Sequence, residues 1–336
     1  MPEMQTETWK PLVAEYQRPN AARAAWQVVN TIGLYVVLWV AMALALQVSW
    51  WLAIPLAILA GAVLVRVFII FHDCGHGSFF ASRTANNWLG FVTGVLTFTP
   101  YAQWRWQHAV HHGTTGNLDR RGVGDVWTLT VSEYRQAPWW KRVAYRVTRN
   151  PILLLGIAPL LMFLFENRLP SSQVGSKERR SVWWTNLCLV GMAFGMSVLL
   201  GFLPYLILQL TVLAVAGGIG VWLFYSQHQF EGAYWQRGDD WSYTDAALKG
   251  SAFLKLPRVL QWFTGNIGYH HIHHLSSRIP NYNLQACHES NALFETVAPM
   301  TVFQSIRAFG LKLWDEANGR LVSFRHLRRS RRRKCA

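Results

Sequence analysis

The sequence predicts an all-α integral membrane protein: four transmembrane helices in two hairpins, with a cytoplasmic helical cap carrying a histidine-rich site for two metal ions. Three observations carry this. The chain is 51% hydrophobic and holds 18 tryptophans, a composition outside the usual range of soluble domains. It contains four long apolar runs. Ten of its 12 histidines fall into four short groups, each at or soon after the end of an apolar segment.

The apolar runs come in pairs. Val28 to Val48 is 21 residues without a charge, and Trp51 to Phe71 is 21 more with only Arg66 interrupting; either is long enough to cross a hydrocarbon core of about 30 Å. Ser49, Trp50 and Trp51 join them as a tight hairpin turn, with tryptophans at headgroup level, and Pro55 falls in the first turns, where it is tolerated. Trp183 to Leu203 and Leu206 to Tyr225 form the second pair, parted by Gly201 and Pro204. Trp88 to Pro100 and Ile152 to Phe165 are too short to span and read as re-entrant or interfacial helices. The division that follows is 1–27 as a cytoplasmic N-terminal segment, 28–71 as hairpin one, 72–182 as the first part of the cap, 183–225 as hairpin two, 226–324 as the second part of the cap and 325–336 as a basic tail.

Net charge is +15, of which the tail from Arg325 to Lys334 supplies seven of the 32 basic residues. Basic clusters at Lys141 to Arg149 and Lys177 to Arg180 put the connection between hairpins on the cytoplasmic side. Both termini then share that side, in a bacterial inner membrane. On such a protein the tail's partner is an anionic lipid surface, not nucleic acid. The start, "MPEMQTETWKPL", lacks the basic region of a cleaved signal peptide. Cys74, Cys188, Cys287 and Cys335 show no CxxC spacing, which argues against a disulfide framework. Gly217, Gly218 and Gly220 lie inside an apolar run and read as a close helix-packing surface.

The histidine groups are "HDCGH" at 72–76, "HAVHH" at 108–112, His228 in "QHQFE", and "HHIHH" at 270–274. On a helix, residues at i, i+3 and i+4 share a face, so His72 with His76, and His108 with His111 and His112, can aim imidazoles at one point. Imidazole donors suit zinc, copper or iron, yet one zinc takes three or four ligands. Nine or ten histidines therefore imply two metals. No ExxH pair occurs anywhere, which excludes the soluble carboxylate-bridged di-iron arrangement on its own signature. Iron is favoured if the task is dioxygen chemistry.

The words "FHDCGHGSFF", "TPYAQWRWQHAVHHGTTGNLDRRGVGDVWTLT", "QHQFEGAYW" and "GNIGYHHIHHLSSRIPNYNL" resemble the membrane fatty-acyl desaturases, closest to the delta-12 or omega-6 acyl-lipid branch, over roughly residues 25 to 300. The histidine triplet is shared by the wider membrane di-iron superfamily. The resemblance implies a cap holding two irons over an acyl tunnel, with ligands His72, His76, His108, His111, His112, His228, His270, His273 and His274. In the acyl-CoA branch an asparagine stands one helical turn before the lone histidine; here that place is Phe224, and Asn266 is a substitute for it. Asp73, Asp119, Asp125 and Glu231 are carboxylates able to back a ligating imidazole. Two irons and O2 would take hydrogen from an unactivated methylene and leave a cis double bond in a fatty-acyl substrate, an acyl-lipid more than an acyl-CoA. Electrons would come from a separate carrier such as ferredoxin or cytochrome b5, since no haem or iron–sulfur cysteine pattern is present; Lys141, Arg142, Arg146 and the basic tail are its docking surface if the carrier is acidic.

A hydroxylase or ketolase on the same scaffold is the alternative enzyme, and a membrane metal-binding or transport protein the alternative of another class. Transport sites sit near the bilayer midplane, whereas every histidine group here lies outside the long runs. In "GYHHIHH" two triples are equally compact on a helical wheel, 270/273/274 and 270/271/274, each within about 100°. The frame of "HAVHH" favours the first. His271 is then the extra imidazole, behind a ligand or toward the substrate, while His288 and His326 read as isolated surface groups. Trp104, Trp106, Trp235 and Trp262 line the tunnel or anchor at the interface.

Overall fold

Four long apolar helices dominate the chain, Ala21–Leu46, Trp50–His76, Ser176–Leu200 and Phe202–His228, in a computed structural model that describes residues 9–327. The basic run past residue 327 lies outside the described residues, as do residues 1–8. Each helix is long and apolar enough to cross a membrane. All four extend beyond the apolar runs because the backbone continues helical into polar sequence. The second span in particular runs on through His72 to His76.

The first span buries Ala24, Gln27, Thr31, Tyr35, Leu38 and Met42, a stripe of three- and four-residue steps along one face. Its other faces carry exposed Val36, Val37, Val40 and Leu44, as a lipid-facing surface should. The second span is the most enclosed of the four. Gly61 is what allows the fourth span so near: a Cβ there would lie 2.7 Å from the Cβ of Val215 and 2.9 Å from the backbone oxygen of Val212. Ser49 caps the second span by accepting from the N–H of Trp51 at 3.1 Å. Gly77 closes it in the left-handed region at φ 71°, immediately after His76.

Between the hairpins, helices Arg83–Leu96 and Tyr101–Thr114 pack beside the second span. Trp139–Thr148 then meets Leu153–Arg168 at a 65° bend, with a π-helical turn over Leu153–Ile157. This bent segment lies against the glycine-rich stretch of the fourth span. A Cβ on Gly217 would meet Pro159 at 2.4 Å and one on Gly218 the Leu155 carbonyl at 2.9 Å, while Gly220 faces open space.

Two short strand pairings tie distant parts of the cap together. Leu129–Thr130 pairs parallel with Leu313–Asp315, which pairs antiparallel with Arg320–Val322; Phe253–Leu254 pairs parallel with Pro299–Met300. The first sheet joins sequence on either side of the second hairpin. Arg149, the last residue of the basic cluster that begins at Lys141, is 2% exposed. Its Nη2 donates to Gln229 Oε1 at 2.9 Å, and its guanidinium lies 4.9 Å from the Tyr225 ring. Lys312 donates to the Arg149 carbonyl, and burial beside that arginine pulls its ammonium down to about 8.

Candidate metal centre

The histidines sit where helices end. His72 and His76 occupy the last turn of the second span and His228 is the last residue of the fourth. His108, His111 and His112 ride on Tyr101–Thr114, and His270 to His274 form a short helix of their own, His270–Leu275. That helix is entered through "TGNIG", where Gly265 and Asn266 take positive φ of 51° and 60°. Gly268 passes so near Leu254 that a Cβ would lie 2.4 Å from its carbonyl oxygen, leaving room only for glycine.

Two groups of imidazoles result. His72, His76, His108, His112 and His273 offer nitrogens all within 4.8 Å of one another, and so do His111, His228 and His274. His270 joins the second group, its Nε2 3.0 Å from His228 Nε2. His112 Nε2 lies 3.1 Å from His108 Nε2 and 3.0 Å from His273 Nε2, and His111 Nε2 lies 3.2 Å from His228 Nε2. With metal–nitrogen bonds of about 2.1 Å, ligands at right angles stand about 3.0 Å apart, so these spacings match edges of a coordination shell. His76 Nε2 and His274 Nε2 are buried with no hydrogen-bond partner, a costly state for a polar atom unless something accepts its lone pair. The donor set fits two ions.

Protonation favours the same use. Burial, reinforced by neighbouring imidazoles, holds His108, His112, His270, His273 and His274 well below the usual imidazole value. They are neutral at pH 7, the form that binds metal. Each group has one imidazole backed by a carboxylate. His72 Nδ1 is 2.9 Å from Asp73 Oδ1 and His111 Nδ1 is 2.7 Å from Asp125 Oδ1; donating Nδ1–H there leaves Nε2 free for a metal. Aromatic side chains close the remaining sides. Trp104 stacks on His108 at 4.3 Å and contacts Phe71 at 4.7 Å, while Phe224 packs 5.2 Å from both His111 and His228.

Several sequence expectations are corrected by this geometry. Asp119 turns away from the histidines: its carboxylate takes Arg237 Nη1 at 2.5 Å and the Gly238 N–H at 2.9 Å, because the loop pairing puts a guanidinium within reach. Glu231 is solvent-exposed and among the described residues has no hydrogen bond to an imidazole. Asn266 points its amide at the Asn281 carbonyl, 3.1 Å away, and so does not stand in for the asparagine replaced by Phe224. His271 faces away from both groups, its Nε2 3.0 Å from His288 Nδ1. His288 is therefore not a surface group; it is 7% exposed, with its ring tilted against those of Phe253 and Tyr269. Arg146, by contrast, stays exposed, with its Nε donating to Tyr134 Oη at 2.6 Å. Trp262 lies over Arg66, 4.4 Å from ring centre to guanidinium, and Trp235 packs in the cap with Leu118 and Trp314.

Sequence reasoning missed Asn281. Its backbone N–H and its Nδ2 both donate to Asp73 Oδ2, at 2.6 and 2.9 Å. The available signal was its place in "IPNYNL", directly after the last histidine group, with Pro280 ahead of a helix start.

Comparison with known proteins agrees with the site. A family model described as fatty acid desaturase matches residues 49–303. The chain is 44% identical over 316 residues to a fatty acid desaturase of Bacillus subtilis, covering 94% of this chain and 90% of that one. It is 29% identical over 268 residues to an sn-1 acyl-lipid omega-3 desaturase (ferredoxin) of Synechocystis sp., covering 74% and 70% of the two chains. With an sn-1 oleoyl-lipid 12-desaturase of Synechocystis sp. it shares 27% identity over 283 residues, 80% and 75% of the two chains. Four helices long and apolar enough to cross a membrane, two largely buried histidine groups at their ends and a match over most of the length lead to one conclusion: the chain belongs to the fatty acid desaturase family.

Proposed function

We propose that the chain is an O2-dependent desaturase of membrane acyl-lipids, of delta-12/omega-6 type, using two irons held by His72, His76, His108, His112 and His273 on one side and His111, His228, His270 and His274 on the other. The observation that carries this is the gathering of nine buried or half-buried histidines into two adjoining groups at the ends of spanning helices, in a chain of this family. When bound, the irons would supply the redox chemistry: a CH2–CH2 unit, O2, two electrons and two protons give a cis CH=CH unit and two waters.

The side chains supply position and dryness. Neutral imidazoles present free nitrogens, Asp73 and Asp125 orient one imidazole in each group, and Trp104, Phe71 and Phe224 exclude water from the edges. An acyl chain on a membrane lipid reaches such a site from the spanning helices without leaving an apolar setting. The electrons come from a separate carrier on the cytoplasmic side, a sidedness that the basic residues Lys177, Arg179 and Arg180 in the first turns of the third span support. Ferredoxin fits this role, since the Synechocystis omega-3 relative carries it in its name.

Expression in a host that lacks polyunsaturated lipids, followed by locating double bonds in its fatty acids, tests the reading. A diene with the new bond at the twelfth carbon is expected. A bond at another fixed position would overturn the delta-12 assignment alone, and a hydroxylated product would overturn desaturation. No product with added iron and a working reductant would count against the whole proposal.

A further inference from the structure

We infer that Asn281 is a positioning residue for the metal group built on His72, acting through Asp73. This rests on the two-metal reading above. The starting point is a geometric difficulty. Asp73 follows His72 directly, and adjacent residues on a helix point about 100° apart, so they do not face each other. A carboxylate placed there orients the preceding imidazole only if something else holds it in place.

Asn281 does so with two donors. Its backbone N–H, which as the first residue of helix Asn281–Glu289 has no partner inside the helix, donates to Asp73 Oδ2 at 2.6 Å, and its Nδ2 donates to the same oxygen at 2.9 Å. That leaves Asp73 Oδ1 for His72 Nδ1 at 2.9 Å. The amide of Asn281 is itself oriented, because its Oδ1 accepts from Gln27 Nε2 at 3.0 Å, which directs Nδ2 toward Asp73. The backbone oxygen takes Asn266 Nδ2 at 3.1 Å. The chain Gln27, Asn281, Asp73, His72 thus runs from the first span to a metal-facing imidazole. All four residues are nearly sealed from solvent, at 3%, 1%, 1% and 4% exposure.

The Asp73 carboxylate is thus held by the backbone and side-chain N–H donors of Asn281, from another part of the chain. The other group is supported differently: Asp125 Oδ2 takes only the Gly122 N–H, at 3.1 Å, within its own loop. Removing the Asn281 amide should therefore weaken one metal and spare the other.

The experiment uses the full-length apo protein in lipid nanodiscs, titrated anaerobically with Fe2+ against a chelator. Wild type should take up two equivalents. Asn281→Ala should lower the affinity of one equivalent by about 10- to 100-fold, the range seen when the support behind a ligand is lost, and leave the other within about threefold. Asn283→Ala is the control: on the same helix, Asn283 ties Arg23 and the Tyr16 carbonyl but does not touch Asp73, so its loss should lower thermal stability with both equivalents kept. The Asp73→Asn/Asn281→Ala double variant should bind no more weakly than Asp73→Asn alone. Should Asn281→Ala fail to fold, Gln27→Ala carries the test, with a smaller loss at the same equivalent.

Two equivalents of wild-type affinity in Asn281→Ala would overturn the assignment, as would an equal metal loss in Asn283→Ala or an additive double variant. A wild type that takes up fewer than two equivalents would overturn the two-metal reading, and the assignment with it.

Discussion

His112 and His274 stack with ring centroids 4.1 Å apart and planes only 16° from parallel, although they come from different helices and belong to different imidazole groups. The two groups therefore adjoin along this pair of rings. His112→Ala and His274→Ala are each expected to abolish turnover and to lose one iron equivalent, that of the group whose imidazole is removed, with the second equivalent kept. Iron analysis of the purified variants checks this, and loss of both equivalents in either would show that the stacked rings couple the groups.

His271 gives the opposite expectation. It pairs with His288 and faces neither group, so His271→Ala should keep both irons and measurable activity. The buried His288 Nδ1 loses its partner, which should lower stability by about 1–3 kcal/mol. Iron content and a melting curve together separate this from the loss expected at His270 or His273.

Asp125 is expected to matter through His111 alone. Asp125→Asn keeps the shape but replaces the carboxylate that accepts from His111 Nδ1 with a weaker, neutral amide acceptor, and iron affinity should fall by about 10- to 100-fold. Asp119→Asn, whose carboxylate serves Arg237 and Gly238, should leave it unchanged. A comparison of the two by chelator competition is decisive, since both positions were equal candidates in the sequence.

The acid side of the stability curve is set by the neutral histidines. His108, His112, His270, His273 and His274 have folded-state values well below the ordinary one, so below about pH 6.5 the unfolded chain binds more protons than the folded one. Stability then rises with pH, is fully present above that value, and is lost as pH falls beneath it. Apo protein should melt at a lower temperature at pH 5.5 than at pH 7.5; equal melting temperatures would mean that these imidazoles are hydrated in solution.

Gly75 tests the packing under the site. A Cβ there would lie 2.8 Å from the Trp104 ring, and that ring is stacked on His108. Gly75→Ala must push the tryptophan or bend the helix, at roughly 1–3 kcal/mol, and should weaken iron binding through His108. An unchanged melting temperature would show that the ring moves freely.

The parts legible in the sequence are those with a local period. The spans followed from uninterrupted apolar length, and the His72/His76 and His108/His111/His112 faces from helical spacing. The turn of His271 away from His270, His273 and His274 agrees with the frame borrowed from "HAVHH". What was not legible depends on partners far along the chain. Nothing near Asp119 announces Arg237, which lies more than a hundred residues later, nor does anything near His288 announce His271 across the "SSRIPNYNL" turn. The burial of Arg149 was not legible in its basic cluster because the tyrosine and the glutamine that enclose it, Tyr225 and Gln229, come from the end of the fourth span. The role of Asn281 was hidden for the same reason: its partner Asp73 lies two spans earlier.

The pairing of Leu129–Thr130 with Leu313–Asp315 has a consequence for how the molecule comes into being. During synthesis the first hairpin can enter the membrane, and His72 and His76 with it, long before their companions exist. The imidazoles that complete the two groups arrive only with His273 and His274, about 200 residues later, and the strand that locks the cap arrives later still. Contacts this distant in sequence form slowly. A nascent chain therefore spends most of its synthesis inserted but without a closed metal site, and the last stretch through Val322 acts as the clasp that ends this open phase.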